Sequence, residues 1–154
     1  MSFEANKVLV HRQFEEVWNK GNLEVINEIY ASTLTNQGIP QANGPEHIKY
    51  VVQLWLTAFP DIHYTIDRII AEDEYVAALV TANGSHTGVF RHPRGTYEPT
   101  GQNFKVRQMH LFQIVEGKIV EHQGVRDDFE MFRQLGLFAE VVAQQSQASR
   151  NPLP

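Results

Sequence analysis

Cysteine is absent from all 154 residues. That excludes disulfides, thiolate nucleophiles, iron–sulfur clusters and cysteine-ligated zinc, so any chemistry must come from carboxylates, histidines and amides. Long apolar runs are missing too: nothing approaches the ~20 consecutive apolar residues that span a bilayer. The opening Met1-Ser2-Phe3-Glu4 has neither the basic nor the apolar region of a secretory leader. No membrane partner is therefore expected, and the expected location is the cytoplasm. Basic clusters are scarce. With 13 Lys and Arg against 18 Asp and Glu, and a formal net charge of −5, the chain lacks the electrostatic footprint of a nucleic-acid binder. No Gly-x-Ser-x-Gly elbow, P-loop or dinucleotide fingerprint occurs. No two histidines stand four apart on an expected helix. Neither a metal nor a cofactor is expected.

What remains is the composition of a globular protein, 42% apolar and 20% charged, long enough to bury one core. Residues 1–143 read as a single domain, and the Gln/Ser/Ala-rich residues 144–154 as a flexible tail. Val10, Phe14, Val17 and Trp18 recur at helical spacing before Gly21, predicting a first helix over 8–18. Asn22 is placed to cap a second helix with Leu23, Ile26, Ile29 and Tyr30 on its buried side. Residues 31–43 have turn formers and no period, which predicts a loop. A third helix runs from Pro45 to Phe59 and ends at Pro60. Alternation then takes over: Ile62, Tyr64 and Ile66, a long strand from Tyr75 with bends at Gly84 and Gly88, a turn-rich stretch 91–102, and two arms, 104–115 and 118–126, around Glu116-Gly117. A last short helix, 128–135, stops at Gly136. Helices followed by consecutive strands predict an α+β domain, its helices on one face of a mainly antiparallel sheet curved enough to hold a cavity.

Several segments in this order resemble a known family. They are Glu16-Val17-Trp18-Asn19-Lys20-Gly21-Asn22, Ala58-Phe59-Pro60-Asp61, Gly84-Ser85-His86-Thr87-Gly88-Val89-Phe90, Pro99-Thr100-Gly101, Glu116 through His122, and Asp127 through Gly136. Together they are similar to the SnoaL-like polyketide cyclases of the nuclear-transport-factor-2-like superfold. The resemblance implies a cone of curved sheet and three N-terminal helices around a pocket. It also implies a cofactor-independent ring closure by intramolecular aldol condensation, with one aspartate as acid and base, acting on a hydrophobic small molecule. Counted back from Gln134-Leu135-Gly136, that aspartate matches Asp127, and the pocket histidines match His86 and His110. Phe14, Trp18 and Phe59 are placed at the pocket wall by the same analogy, and a homodimer through the open sheet face is implied. Gln123 stands where many relatives carry Trp, which bears on pocket shape.

The residues themselves leave alternatives open. Alternation along 118–127 puts Ile119, Glu121, Gln123, Val125 and Asp127 on one face, so a pocket-facing Asp127 would bring Gln123 with it. Yet Asp127 followed three residues on by Glu130 is also a capping box, which accounts for the aspartate without catalysis. His110 shares a face with Val106, Gln108 and Phe112, making a polar patch in an apolar wall. It reads as pocket lining that hydrogen-bonds a substrate carbonyl, or as a satisfied core histidine. His86 between Gly84 and Gly88 is either aimed at a cavity or held within the strand. Two functions follow: an acid–base enzyme doing cyclisation, isomerisation or hydration, or a non-catalytic ligand-binding or dimerisation module of the same fold.

Overall fold

A computed structural model describes residues 2–36 and 39–150. The chain begins earlier in helix than expected, because Ser2 accepts a hydrogen bond from the Ala5 amide and caps α1, Phe3–Arg12. The same helix continues as a π-helical stretch, Gln13–Asn19. Widening there keeps Gln13, Phe14 and Val17 on the buried side. Next come α2, Glu24–Ile29, and α3, Gly44–Ala58. Pro45 opens α3, and Phe59 N–H closes it on the Trp55 carbonyl.

The expected loop at 31–43 is a strand pair instead: β1, Tyr30–Asn36, and β2, Ile39–Asn43. Its turn formers hid the pairing, since β1 buries only Tyr30, Leu34 and Asn36 among polar residues. Residues 37 and 38 lie outside the described residues. The remaining strands are β3, His63–Glu72; β4, Tyr75–Ser85; β5, Phe90–His92; β6, Gly95–Tyr97; β7, Asn103–Val115; and β8, Lys118–Arg126. The stretch read as one strand from Tyr75 to Phe90 breaks after Ser85, and the turn-rich stretch holds the separate β5–β6 hairpin. Six strands make a curved open sheet in the order β2-β1-β8-β7-β4-β3, antiparallel except where β1 runs parallel to β8. The β7–β8 hairpin turns at Glu116 and Gly117 with φ of +49° and +74°, the twist-matched turn that the sequence signals.

Helix α4, Asp128–Leu135, stops at Gly136, whose φ of +73° lets Leu137 N–H reach back to the Phe132 carbonyl. Helix α5, Phe138–Arg150, follows. It carries helix through residues 144–150, where a tail was expected; residues 151–154 lie outside the described residues. Among the described residues no helix is long and apolar enough to cross a membrane.

The core fills the concave side of the sheet. Phe14, Phe59, Phe90, Phe112, Tyr97 and Leu34 are all but fully buried, each side chain contributing roughly 1.5–3 kcal/mol by leaving water. Asn19 fastens the end of the first helix to β3 through both polar atoms of its amide. It donates to the Tyr64 carbonyl at 2.9 Å and accepts from the Tyr64 amide at 2.8 Å. Gly88 lies directly against the end of α3, its N–H bonded to the Ala58 carbonyl. A Cβ there would stand 1.9 Å from the Thr57 carbonyl oxygen, a backbone atom that cannot swing aside. Gly88→Ala is therefore expected to lower stability by about 2–4 kcal/mol in urea unfolding, and a loss below about 0.5 kcal/mol would show that this contact does not hold α3 to the sheet.

Candidate active site

β7 is the wall of the site. Its alternation buries Phe104, Val106, Gln108, His110, Phe112 and Ile114 and exposes the residues between them. The partner strand β8 does not alternate as its sequence suggests. Register with β7 shifts between Gln113↔Glu121 and Ile114↔Ile119, leaving Val120 as an extra residue. This bulge reverses the parity. Ile119 faces inward before it, and His122, Gly124 and Arg126 face inward after it, opposite Phe112, His110 and Gln108 respectively.

The expected grouping of Gln123 with Asp127 does hold, but on the outer face. Gln123 is exposed and bonds Glu121, and Asp127 is exposed with Oδ1 accepting the Glu130 amide at 3.1 Å as the cap of α4. Neither is brought together with His110. His86 is fully buried, yet elsewhere: its ring packs on Phe59 and Phe90, and its Nδ1 accepts the Thr100 amide. It follows Ala78, the β4 partner of His110, by eight residues, roughly 25 Å of extended strand. Phe59 belongs with it in that aromatic group. Phe14, in contrast, meets the His110 ring edge-on at 5.4 Å, and Trp18 lies 5.2 Å from Tyr64, which in turn touches Phe14.

Four side chains form a buried hydrogen-bonded ladder across three strands. Gln108 Oε1 lies 2.9 Å from His110 Nε2, His110 Nδ1 lies 2.8 Å from His122 Nε2, and His122 Nδ1 lies 2.8 Å from Asn36 Oδ1. The two imidazoles stack nearly parallel, 5.2 Å between centroids. Burial pushes the His110 imidazole well below its ordinary value, helped by His122 and the nearby Arg126 charge; burial and Arg126 bring His122 down to about 4. Both rings are therefore neutral at pH 7. With two amide carbonyls at the ends, two neutral rings supply only two protons for three links. One amide must present its NH2 to a ring nitrogen instead, and amide oxygen and nitrogen are assigned by such networks. With Gln108 turned, its orphaned buried Nε2 gains a partner. The opposite order, with Asn36 turned, also fills all three links but leaves Gln108 Nε2 outside them. The ladder thus has two neutral proton orders and, with both carbonyls facing in, a third state that holds one extra proton.

Arg126 stands over the open end of this ladder. Its guanidinium carbon is 5.1 Å from the Trp55 ring centroid, and its Nε is 3.4 Å from Asp128 Oδ1. Burial would raise the Asp128 carboxyl, but His92, Arg126 and Arg94 hold it below its usual value. Burial pushes the Tyr64 phenol up, opposed by Arg126 and Gln108. Among the described residues no three His, Asp or Glu side chains converge to hold a metal ion.

Sequence reasoning found Phe14, Trp18, Gln108 and His110 and missed His122, Asn36, Tyr64 and Arg126. His122 and Arg126 were visible as the opposite face of β8, which the bulge turned inward.

The family model for SnoaL-like polyketide cyclases matches residues 8–135. Among curated proteins, the aklanonic acid methyl ester cyclases DauD of Streptomyces sp. (strain C5) and DnrD of Streptomyces peucetius are each 30% identical over 132 residues. The match covers 81% of this chain and 78% and 87% of theirs. Among solved structures, TsrD from Streptomyces laurentii superposes with a TM-score of 0.79 at 20% identity, over 88% of this chain and 98% of that one, which shows the shared fold.

Acid should act on this ladder. Each unfolded histidine binds a proton near pH 6.5, while the folded rings resist until well below it. The unfolded state therefore holds more protons between about pH 6.5 and 4, and stability falls as pH drops through that window. For His122 the loss is on the order of 3 kcal/mol. His122→Gln is expected to flatten the slope of urea-unfolding free energy between pH 6.5 and 4, and an unchanged slope would remove His122 as its source.

Proposed function

Because the chain belongs to the SnoaL-like polyketide cyclase family, we propose that it is a cofactor-independent enzyme that moves protons on a hydrophobic polycarbonyl small molecule, closing a ring by an aldol-type step. The observation that carries this is the buried neutral ladder, with His110 beside Phe14 and under Arg126. We assign the acid–base role to His110 in place of the aspartate expected at Asp127, whose carboxylate is exposed and capping α4.

In the order where Asn36 accepts from His122 and His122 accepts from His110, the His110 Nε2 lone pair meets only the Gln108 amide. A substrate displacing that amide meets a base. His110 takes the C–H proton next to a carbonyl, and the proton's charge spreads to His122 through the Nδ1···Nε2 link. The enolate carbon attacks a second carbonyl, the new C–C bond leaves an alkoxide, and His110 returns the proton to it. A base with so low a pKa is weak, so the C–H must be acidic: a carbon between two carbonyls fits, and a lone ketone does not. Isomerisation or hydration would use the same proton transfers.

The assay uses aklanonic acid methyl ester, the compound in the relatives' names, and the corresponding free acid. His110→Gln is expected to lower turnover at least 100-fold with little change in melting temperature, while Asp127→Asn retains both. Normal turnover in His110→Gln would end the histidine assignment, and loss in Asp127→Asn would restore the aspartate. Ring closure of neither compound would favour the non-catalytic ligand-binding module, a reading supported by the lack of any carboxylate in the ladder.

A homodimer through the outer sheet face completes the proposal. Met109, Leu111 and Val125 stand exposed there on the adjoining β7 and β8, Val125 at 74%, and Ile70 on β3 with β4 between. Such a cluster on a sheet suits self-association. Val125→Asp combined with Met109→Glu is expected to halve the mass measured by light scattering; a wild-type monomer at micromolar concentration would refute the dimer.

A further inference from the structure

We propose that Arg126 and the Gln108 amide form a subsite for a carboxylate on the ligand of the ladder, so that this chain prefers an acid to its ester. The proposal rests on the cyclase reading only in taking the ladder face as the place where the ligand binds.

Arg126 and Gln108 are directly opposite across the β7–β8 ladder and share its inward face. The guanidinium makes an ion-pair contact with Asp128, Nε to Oδ1 3.4 Å, and its carbon lies over the Trp55 ring. No described residue is hydrogen-bonded to its two terminal nitrogens, and the side chain is 29% exposed. A planar fork held on its far edge is the geometry that grips a carboxylate through both oxygens. Gln108 is 2% exposed, its Oε1 is engaged by His110, and its buried Nε2 has only the Tyr64 phenol beside it, short of a well-formed hydrogen bond. A buried amide nitrogen of this kind either turns toward His110 or waits for an acceptor. A ligand carboxylate between Arg126 and Gln108 supplies that acceptor, drawing the Gln108 amide off His110 and leaving the His110 Nε2 lone pair free. Gly124, the inward residue between Arg126 and His122, places no β8 side chain over His110.

The charges around the subsite agree. Asp128, shared with His92 at 3.5 Å, answers part of the Arg126 charge at the outer edge. The groups on the inner side, His110, His122 and Tyr64, are all neutral at pH 7. The inner side thus sets no negative charge against Arg126, whose carboxylate partner lies at its outer edge.

The test uses 2-naphthoate and its methyl ester, which undergo no ring closure, in isothermal titration calorimetry on the full chain. The wild type is expected to bind the acid at least tenfold tighter than the ester. Arg126→Gln should bring the two within twofold by weakening the acid and sparing the ester. Arg126→Lys, which keeps the charge without the fork, should fall between and guards against misfolding of the first variant. The preference should stay constant from pH 6.5 to 8. Equal binding of the two probes, no binding of either at millimolar concentration, an acid preference that survives Arg126→Gln, or one that disappears as the pH rises would each overturn the subsite. Acid preference without ring closure by the enzyme would end the cyclase reading and leave the subsite standing; ring closure with equal binding would do the reverse.

Discussion

One extra residue, Val120, decides what this protein can do. Without the bulge, β8 would run in strict alternation from Ile119, and the inward row would be Ile119, Glu121, Gln123 and Val125. With it, the row becomes Ile119, His122, Gly124 and Arg126. The first version would bury a carboxylate and an amide against β7 with only His110 to answer them. The second builds a ladder in which every ring nitrogen has a partner and places the cation at the solvent-reachable end. Burying polar groups is tolerable only when each is hydrogen-bonded, so the bulge and the ladder depend on each other. β1 must also run parallel to β8 so that Asn36 can close the far end, at the register Asn36↔His122.

Much of the architecture was legible because it follows from local chemistry. Pro45 and Pro60 bracket α3, Gly136 ends α4, and Glu116-Gly117 turns the hairpin, each through a conformational preference that does not depend on distant residues. β7 was legible because its alternation is unbroken over its whole length. What was lost needs information that alternation does not carry. A bulge is set by how two strands pair, and the run Lys118 to Arg126 contains no glycine or proline near Val120 to announce it. β1 was invisible because Ser32, Thr33, Thr35 and Asn36 look like loop, and Asn36 is buried only because His122 needs it. Asp127 went the other way. Its capping signal was local and is realised in the structure, whereas a pocket-facing carboxylate would have required β8 to keep its parity.

The site also gives up stability that a purely structural sheet would retain. Two imidazoles in place of apolar side chains make the fold acid-sensitive, and a buried amide nitrogen without a partner costs about 1–3 kcal/mol. Those losses are local. They sit on β7 and β8 at Gln108, His110 and His122, while Phe112, Ile114, Ile119 and Leu34 beyond them are fully packed. A concentration of unfavourable polar burial in one place, inside an otherwise ordinary core, is what functional sites leave behind.

The two unusual features of the site, a weak base and a cation paired only at its outer edge, make sense only together. A neutral imidazole whose conjugate acid is held by burial well below the ordinary histidine range gives little driving force for removing a proton from carbon. If the equilibrium were set by the base alone, the enolate would be scarce. Arg126 would change the balance by favouring negative charge on the ligand, since the same charge that lowers the histidine pKa values lowers the pKa of whatever acid lies beside it. Raising the base strength by burying a carboxylate at Gly124 would also neutralise Arg126 and forfeit that effect. In the proposed mechanism the work is divided: the ladder accepts and returns a proton without itself holding charge for long, and the arginine holds the anion. Such a division suits a ligand that is already acidic, and it leaves a cation free to recognise a carboxylate when one is present.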